Sequence, residues 1–98
     1  MTITKKQNGS ALEIALEGRL DTMTSPDLEK ELNNSLKGVD SLTFDFSKLD
    51  YISSAGLRVL LSAHKALLSK DGMKVTNVNE IVQEVFDVTG FADILTIE

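Results

Sequence analysis

The sequence predicts an α/β fold, a mainly parallel sheet backed by helices, with one antiparallel hairpin at its start. Three observations carry this. Short stretches of alternating apolar residues, "ALEIALEG" and "SLTFDFS", take turns with longer segments whose leucines recur at helical spacing. A helix between two strands returns the chain to the same end of the sheet, so strands connected this way run parallel. Between the first two strand-like runs, "QNGS" carries Asn8-Gly9, a strong hairpin signal that makes that pair antiparallel.

Each element has its own justification. A short strand around Ile3 precedes one in which Leu12, Ile14 and Leu16 alternate with Glu13, Ala15 and Glu17, ending at Gly18. In "TSPDLEKELNNSLKG", Ser25 is suited to cap a helix with Pro26 as its first residue, where a missing N–H costs nothing. Asp27 and Glu29 suit the positive end of the helix dipole. Leu28, Leu32 and Leu36 form the apolar face, and Gly38 is the stop. Leu42, Phe44 and Phe46 mark a short, buried central strand. A second helix opens at Ser53 or Ser54, with Leu57, Leu60, Leu61, His64 and Leu68 on one stripe widened by Val59, Ala63 and Leu67, and ends near Gly72. "MKVTNV" is a further strand. Asn79 caps a third helix with Ile81, Val82, Val85 and Phe86 inward, and "TGFADILTIE" supplies a turn at Gly90, a last helical turn and a short final strand.

Composition narrows the function. Ninety-eight residues, 42% of them hydrophobic, make one domain, residues 1–98, able to bury its own core. The absence of cysteine excludes disulfides, thiolate metal sites and a cysteine nucleophile, and is compatible with the cytosol. No apolar run reaches the roughly 18 residues that span a bilayer, and the N-terminus lacks a signal peptide's apolar stretch, so a soluble chain is expected. A net charge of −5 argues against nucleic acid as a partner and suits a basic partner surface.

The strongest candidate site is the junction between the central strand and "SSAGL". Ligand sites in α/β sheets gather beyond the carboxyl ends of strands. Ser53 and Ser54 lie at such an end and at a helix N-terminus, where free N–H groups favour a phosphate. On residue types alone, an ordinary helix cap is the simpler account. A serine hydrolase does not fit. "SSAGL" is not G-x-S-x-G, and His64 lies about 15 Å from Ser54 at 1.5 Å per helical residue. Asp21, Asp45 and Asp50 read as strand-end and turn residues rather than a metal cluster, and no glycine-rich phosphate loop is present. No cofactor and no metal are expected.

Three segments in this order and at these spacings, "EGRLDTMTSPDLEKEL", "LTFDFSKLDYISSAGLRVLLSAHKAL" and "VFDVTGFADIL", closely resemble the STAS domain of bacterial anti-sigma factor antagonists. The likeness covers essentially the whole chain. It implies a STAS fold, a four- to five-stranded mixed sheet packed on one side by three to four helices. The function it implies is partner switching in the cytoplasm. The unphosphorylated antagonist binds an anti-sigma factor, often a serine kinase of the GHKL type, and so frees a sigma factor. Phosphorylation of one serine at the helix start ends the complex, and a serine phosphatase restores it.

Carried over, the acceptor is Ser54, ahead of Ser53. Asp21, with Thr22 beside it, matches a carboxylate next to the acceptor that supports partner binding or phosphorylation. Leu57 and Arg58 match the first turn of the partner-binding helix, Gly56 among the partner-binding positions lets the backbone approach closely, and Asp45 and Asp50 lie near the site. Two positions depart from the common D-S-S-G and D-S-T-G forms, Ser53 in place of the aspartate and Ala55 after the acceptor. Within the same fold the alternative is an adaptor or scaffold subunit, for instance of an ABC-type lipid transporter.

Overall fold

A computed structural model describes all 98 residues. The elements are β1 (Thr2–Asn8), β2 (Ala11–Leu20), α1 (Ser25–Ser35), β3 (Ser41–Ile52), α2 (Ser54–Ala66), β4 (Gly72–Thr76), α3 (Glu80–Thr89), a 3-10 turn (Phe91–Asp93) and β5 (Thr96–Ile97). The five strands lie side by side in chain order. β1 pairs antiparallel with β2, and every later pair is parallel. Along β2, Leu12, Ile14 and Leu16 are buried while Glu13 and Glu17 are exposed, which marks one covered face and one open one. The covered face meets the helices through a core of 22 residues, with Phe44, Phe46 and Phe86 among its largest side chains.

β3 is nearly twice as long as its alternation suggested. Its buried positions run 42, 44 and 46, then jump to 49 and 52. Two register shifts against β2 explain the jump, since each places an extra residue on β3. The first falls between the pairs Ala15–Asp45 and Glu17–Lys48, the second between Gly18–Leu49 and Arg19–Tyr51. A bulged strand loses its period of two and so imitates a strand end. Gly18 therefore does not stop β2. It sits at the second shift with φ +102°, a conformation that side chains rarely tolerate, and the strand continues to Leu20.

The helices depart from expectation in three ways. Thr24, not Ser25, is the N-cap of α1, and it makes no side-chain capping bond. Ser25 is the first helical residue and is buried, its hydroxyl donating back to the Asp21 carbonyl. In α2 the inward face is Gly56, Leu57, Val59, Leu60 and Ala63, with Leu67 buried just beyond. Leu68 is 65% exposed and His64 half-buried, so the stripe is rotated from the one expected. α2 ends at Ala66, well before Gly72, which opens β4. In α3, Val82 and Phe86 point inward, Val85 is half-buried and Ile81 is exposed.

Asn79 is a double clasp. Its Oδ1 accepts the Val82 amide at 2.8 Å as the cap of α3, while its Nδ2 donates to the Leu49 carbonyl at 2.7 Å. Leu49 lies beyond the last β3–β4 pair, Asp45–Thr76, so this carbonyl has no strand partner on that side. Asn79→Ala removes both bonds. The expected loss is about 2–3 kcal/mol, a cap plus a carbonyl left without its donor. Urea denaturation measures it, and a loss under about 0.5 kcal/mol would show the clasp to be incidental.

Candidate functional site

The final β2–β3 pair, Leu20–Ile52, brings two strand ends together, and the chain leaves them for α1 and α2. The Ser53 amide donates to the Leu20 carbonyl at 2.9 Å, tying the start of α2 to the end of β2. Ser53 is extended, with φ −101° and ψ 175°, and its Oγ accepts the Gly56 amide at 3.4 Å. Its carbonyl takes the first helical bond, from the Leu57 amide at 2.9 Å. Ser53 is thus the helix cap and is half-buried. Ser54 is the first helical residue and is exposed, and its hydroxyl has no hydrogen-bond partner. The amides of Ser54 and Ala55 have no carbonyl one turn earlier, so both are free donors at the positive end of the dipole.

The strand end contributes Asp21. Its Oδ1 accepts from the Met23 amide at 3.0 Å, the Thr24 amide at 3.1 Å and the Thr24 hydroxyl at 3.2 Å, which shapes the β2–α1 turn. Its Oδ2 lies 3.7 Å from Arg19 Nε, and the Arg19 guanidinium stacks on Tyr51, 4.4 Å from the ring centre. The Thr24 amide foremost, then the Met23 amide, the Thr24 hydroxyl and Arg19, hold the Asp21 carboxyl below its ordinary value.

Between α1 and α2 runs a groove of about 340 Å³, lined by Thr22, Ser25, Pro26 and Glu29 on one side and Ala55, Arg58, Val59 and Ser62 on the other. Arg58 is exposed and has no carboxylate within 4.0 Å. It follows Ser54 by four residues, which places both on the same side of the helix. Met23 is 85% exposed in the turn that Asp21 shapes, an apolar side chain open to solvent close to the Asp21 carboxylate.

The sequence-predicted residues divide. Asp21, Thr22, Ser53, Ser54 and Arg58 gather around the start of α2 and its groove. Gly56 and Leu57 do not offer a contact surface, because both are buried. A Cβ on Gly56 would lie 2.8 Å from Leu20 Cγ and 2.9 Å from Ile52 Cγ1, so its role is to let α2 approach the strand ends. Asp45 belongs elsewhere. It accepts the Ser47 amide at 2.9 Å and the Asn77 side-chain amide at 3.1 Å, holding the first bulge of β3 to the β4–α3 turn. Asp50 is exposed at the second bulge. No three carboxylate or imidazole groups are arranged to hold a metal ion. Met23 and the α1 wall of the groove were missed by sequence reasoning. The spacing of Ser25 with Glu29 and of Ala55, Val59 and Ser62 marks shared helix faces, but only the packing of α1 on α2 joins them.

Asp45 is depressed below its ordinary value by the Ser47 amide first and the Asn77 amide next. A carboxylate whose folded pKa is lowered stabilises the fold above the ordinary value of 3.8 and loses that contribution as pH falls through the folded value. The melting temperature is therefore expected to fall below about pH 4, with a shallower acid limb in Asp45→Asn. Melts between about pH 2 and 6 test this, and parallel acid limbs for the two proteins would refute it.

Comparison with known proteins agrees with this architecture. The STAS domain family model matches residues 2–98. A Bordetella bronchiseptica protein named as an anti-sigma factor antagonist, BtrV, is 34% identical over 99% of this chain and 85% of its own length. The anti-sigma-B factor antagonist of Bacillus subtilis is 26% identical over 99% of this chain and 90% of its own. Among solved structures, an anti-sigma factor antagonist from Mycobacterium paratuberculosis superimposes with a TM-score of 0.88 at 20% identity, covering 98% of this chain and 83% of that one. SpoIIAA in its unphosphorylated form gives 0.85 at 18% identity, covering 99% and 88%. With a family match across nearly its whole length, a relative above 30% identity and the same five-stranded sheet, the chain belongs to the STAS domain family.

Proposed function

We propose that the chain is an anti-sigma factor antagonist, a non-catalytic cytoplasmic regulator whose partner binding is switched by phosphorylation of Ser54. The observation that carries this is the division of labour between the two serines. Ser53 is spent on the cap, whereas Ser54 offers an exposed, unengaged hydroxyl at the helix N-terminus. The relatives named above lend their function, and SpoIIAA, of the same fold, is also known in a phosphorylated form. No helix is long and apolar enough to cross a membrane.

A phosphate on Ser54 brings about −1.5 to −2 charges. The free amides of Ser54 and Ala55, the dipole and Arg58 one turn on accommodate it, so the fold survives. A partner surface fitted to a neutral hydroxyl has to desolvate that charge, and the complex is lost. The partner on this reading is an anti-sigma factor that is itself a GHKL-type serine kinase, opposed by a serine phosphatase. The test is incubation with the cognate kinase and ATP, followed by mass spectrometry. One phosphate is expected, on Ser54, absent from Ser54→Ala and retained in Ser53→Ala. Phosphate confined to Ser53, or none under a kinase active on itself, overturns the proposal.

A further inference from the structure

The net charge of −5 is not spread over the molecule. Residues 75–98 carry five carboxylates and no Lys or Arg, while the first 74 residues are balanced, so the whole excess lies on α3, the 3-10 turn and the last residue, Glu98. Glu98 is paired with Lys74 at 3.3 Å. The other four, Glu80, Glu84, Asp87 and Asp93, have no cation within 4.0 Å. Glu80 at the start of α3 suits the helix dipole, but Asp87 lies in its last turn, where a negative charge opposes the dipole. The Asp87 Oδ1 accepts from Gln83 Nε2 at 3.0 Å, a neutral partner that leaves the charge itself uncompensated.

The same segment exposes apolar side chains. Val88 is 77%, Ile81 60% and Ile94 45% exposed. Ile81 and Val88 are seven residues apart, with half-buried Val85 between them, so they form one stripe along the helix. Glu84 and Asp87 lie along one side of it. None of these residues lines the groove beside Ser54.

We infer that the outer face of α3, centred on Ile81, Glu84, Asp87 and Val88, is a second docking surface, whose occupant is a basic amphipathic helix of a partner protein. Apolar residues three to four positions apart on that helix would cover Ile81 and Val88, and its Lys or Arg would meet the unpaired carboxylates. Charge selects this occupant over two others. An anionic membrane surface would be repelled. A second copy docked by a two-fold axis would set the same acidic stripe against itself. The inference stands apart from the serine switch, because it uses neither Ser54 nor its groove.

The test uses the full ¹⁵N-labelled chain and a synthetic 18-residue amidated peptide of leucine and lysine with a single apolar stripe. The controls are the same peptide with its leucines scrambled and a version with glutamate for lysine. The largest amide shifts are expected at Ile81, Glu84, Val88 and Ile94. Binding should weaken at least about tenfold in Glu84→Lys/Asp87→Lys and separately in Val88→Lys, fall with added salt and persist in Ser54→Asp. These side chains are exposed, and melting curves establish that each variant is folded. Shifts centred on the α1–α2 groove, equal binding of either control peptide, no shift at millimolar peptide, or self-association of the free chain through α3 would each overturn the inference.

Discussion

Ser54→Asp is expected to weaken binding to the anti-sigma partner by at least about a hundredfold, while Ser54→Ala keeps it within about threefold. A hundredfold change is about 2.8 kcal/mol, below the several kcal/mol that an unpaired charge costs at a dry interface. The alanine variant loses only an exposed hydroxyl that bonds nothing within the protein. The fold serves as the internal control. Aspartate at the first helical position favours the dipole, so Ser54→Asp should melt no lower than the parent protein. Weak binding with intact stability then reports the interface rather than misfolding. Calorimetric titration with the purified partner measures both variants, and equal affinity for Ser54→Asp and the parent would remove the electrostatic basis of the switch.

The second large effect concerns Gly56. Its substitution by alanine gains about 1 kcal/mol of helix propensity, yet the new methyl meets Leu20 Cγ at 2.8 Å, Ile52 Cγ1 at 2.9 Å and Leu20 Cδ2 at 3.0 Å. Leu20 and Ile52 are themselves fully buried, so neither can swing aside without disturbing the core. Overpacking of this kind costs typically about 1–3 kcal/mol. Two further methyl groups make Gly56→Val worse, with an expected net loss near or above about 3 kcal/mol and a melting temperature lower by about 4–8 °C for each kcal/mol. Gly56→Ala and Leu20→Ala combined should cost less than the sum of the two single changes, because the truncated leucine leaves the space that the new methyl needs. If Gly56→Val proves as stable as the parent in urea, the close approach of α2 to the strand ends is not what requires glycine here.

Much of the fold was legible because its signals are local. The Asn79 cap, the leucine face of α1 and the alternation of Leu12, Ile14 and Leu16 depend on residues a few positions apart. Where legibility failed, a contact distant in sequence had intervened. Alternation marks only the first part of β3, because two bulges against β2 interrupt it after Phe46. Ser25 has the residue type and position of a cap because it precedes Pro26, whereas the Asp21 turn places the cap at Thr24 and turns the Ser25 hydroxyl back to the Asp21 carbonyl. Leu57 fell within a site motif, yet its helical phase places it in the core.

For the site the same distinction holds. Residue types and spacing were enough to locate two serines at a helix start after a central strand, and the resemblance of three segments was enough to name a family. Residue types and spacing do not separate one serine from the other, since both are small, hydroxylated and adjacent, and the resemblance places Ser54 ahead of Ser53 without a physical reason. The physical difference between them comes from the Leu20–Ile52 strand pair. It fixes the Ser53 amide on the Leu20 carbonyl and holds Ser53 in the extended conformation of a cap. Capping engages one hydroxyl with the backbone, and the helical turn that follows carries the next one out to solvent. A pairing between residues 20 and 52 cannot be read from either local segment, and it decides which oxygen is free.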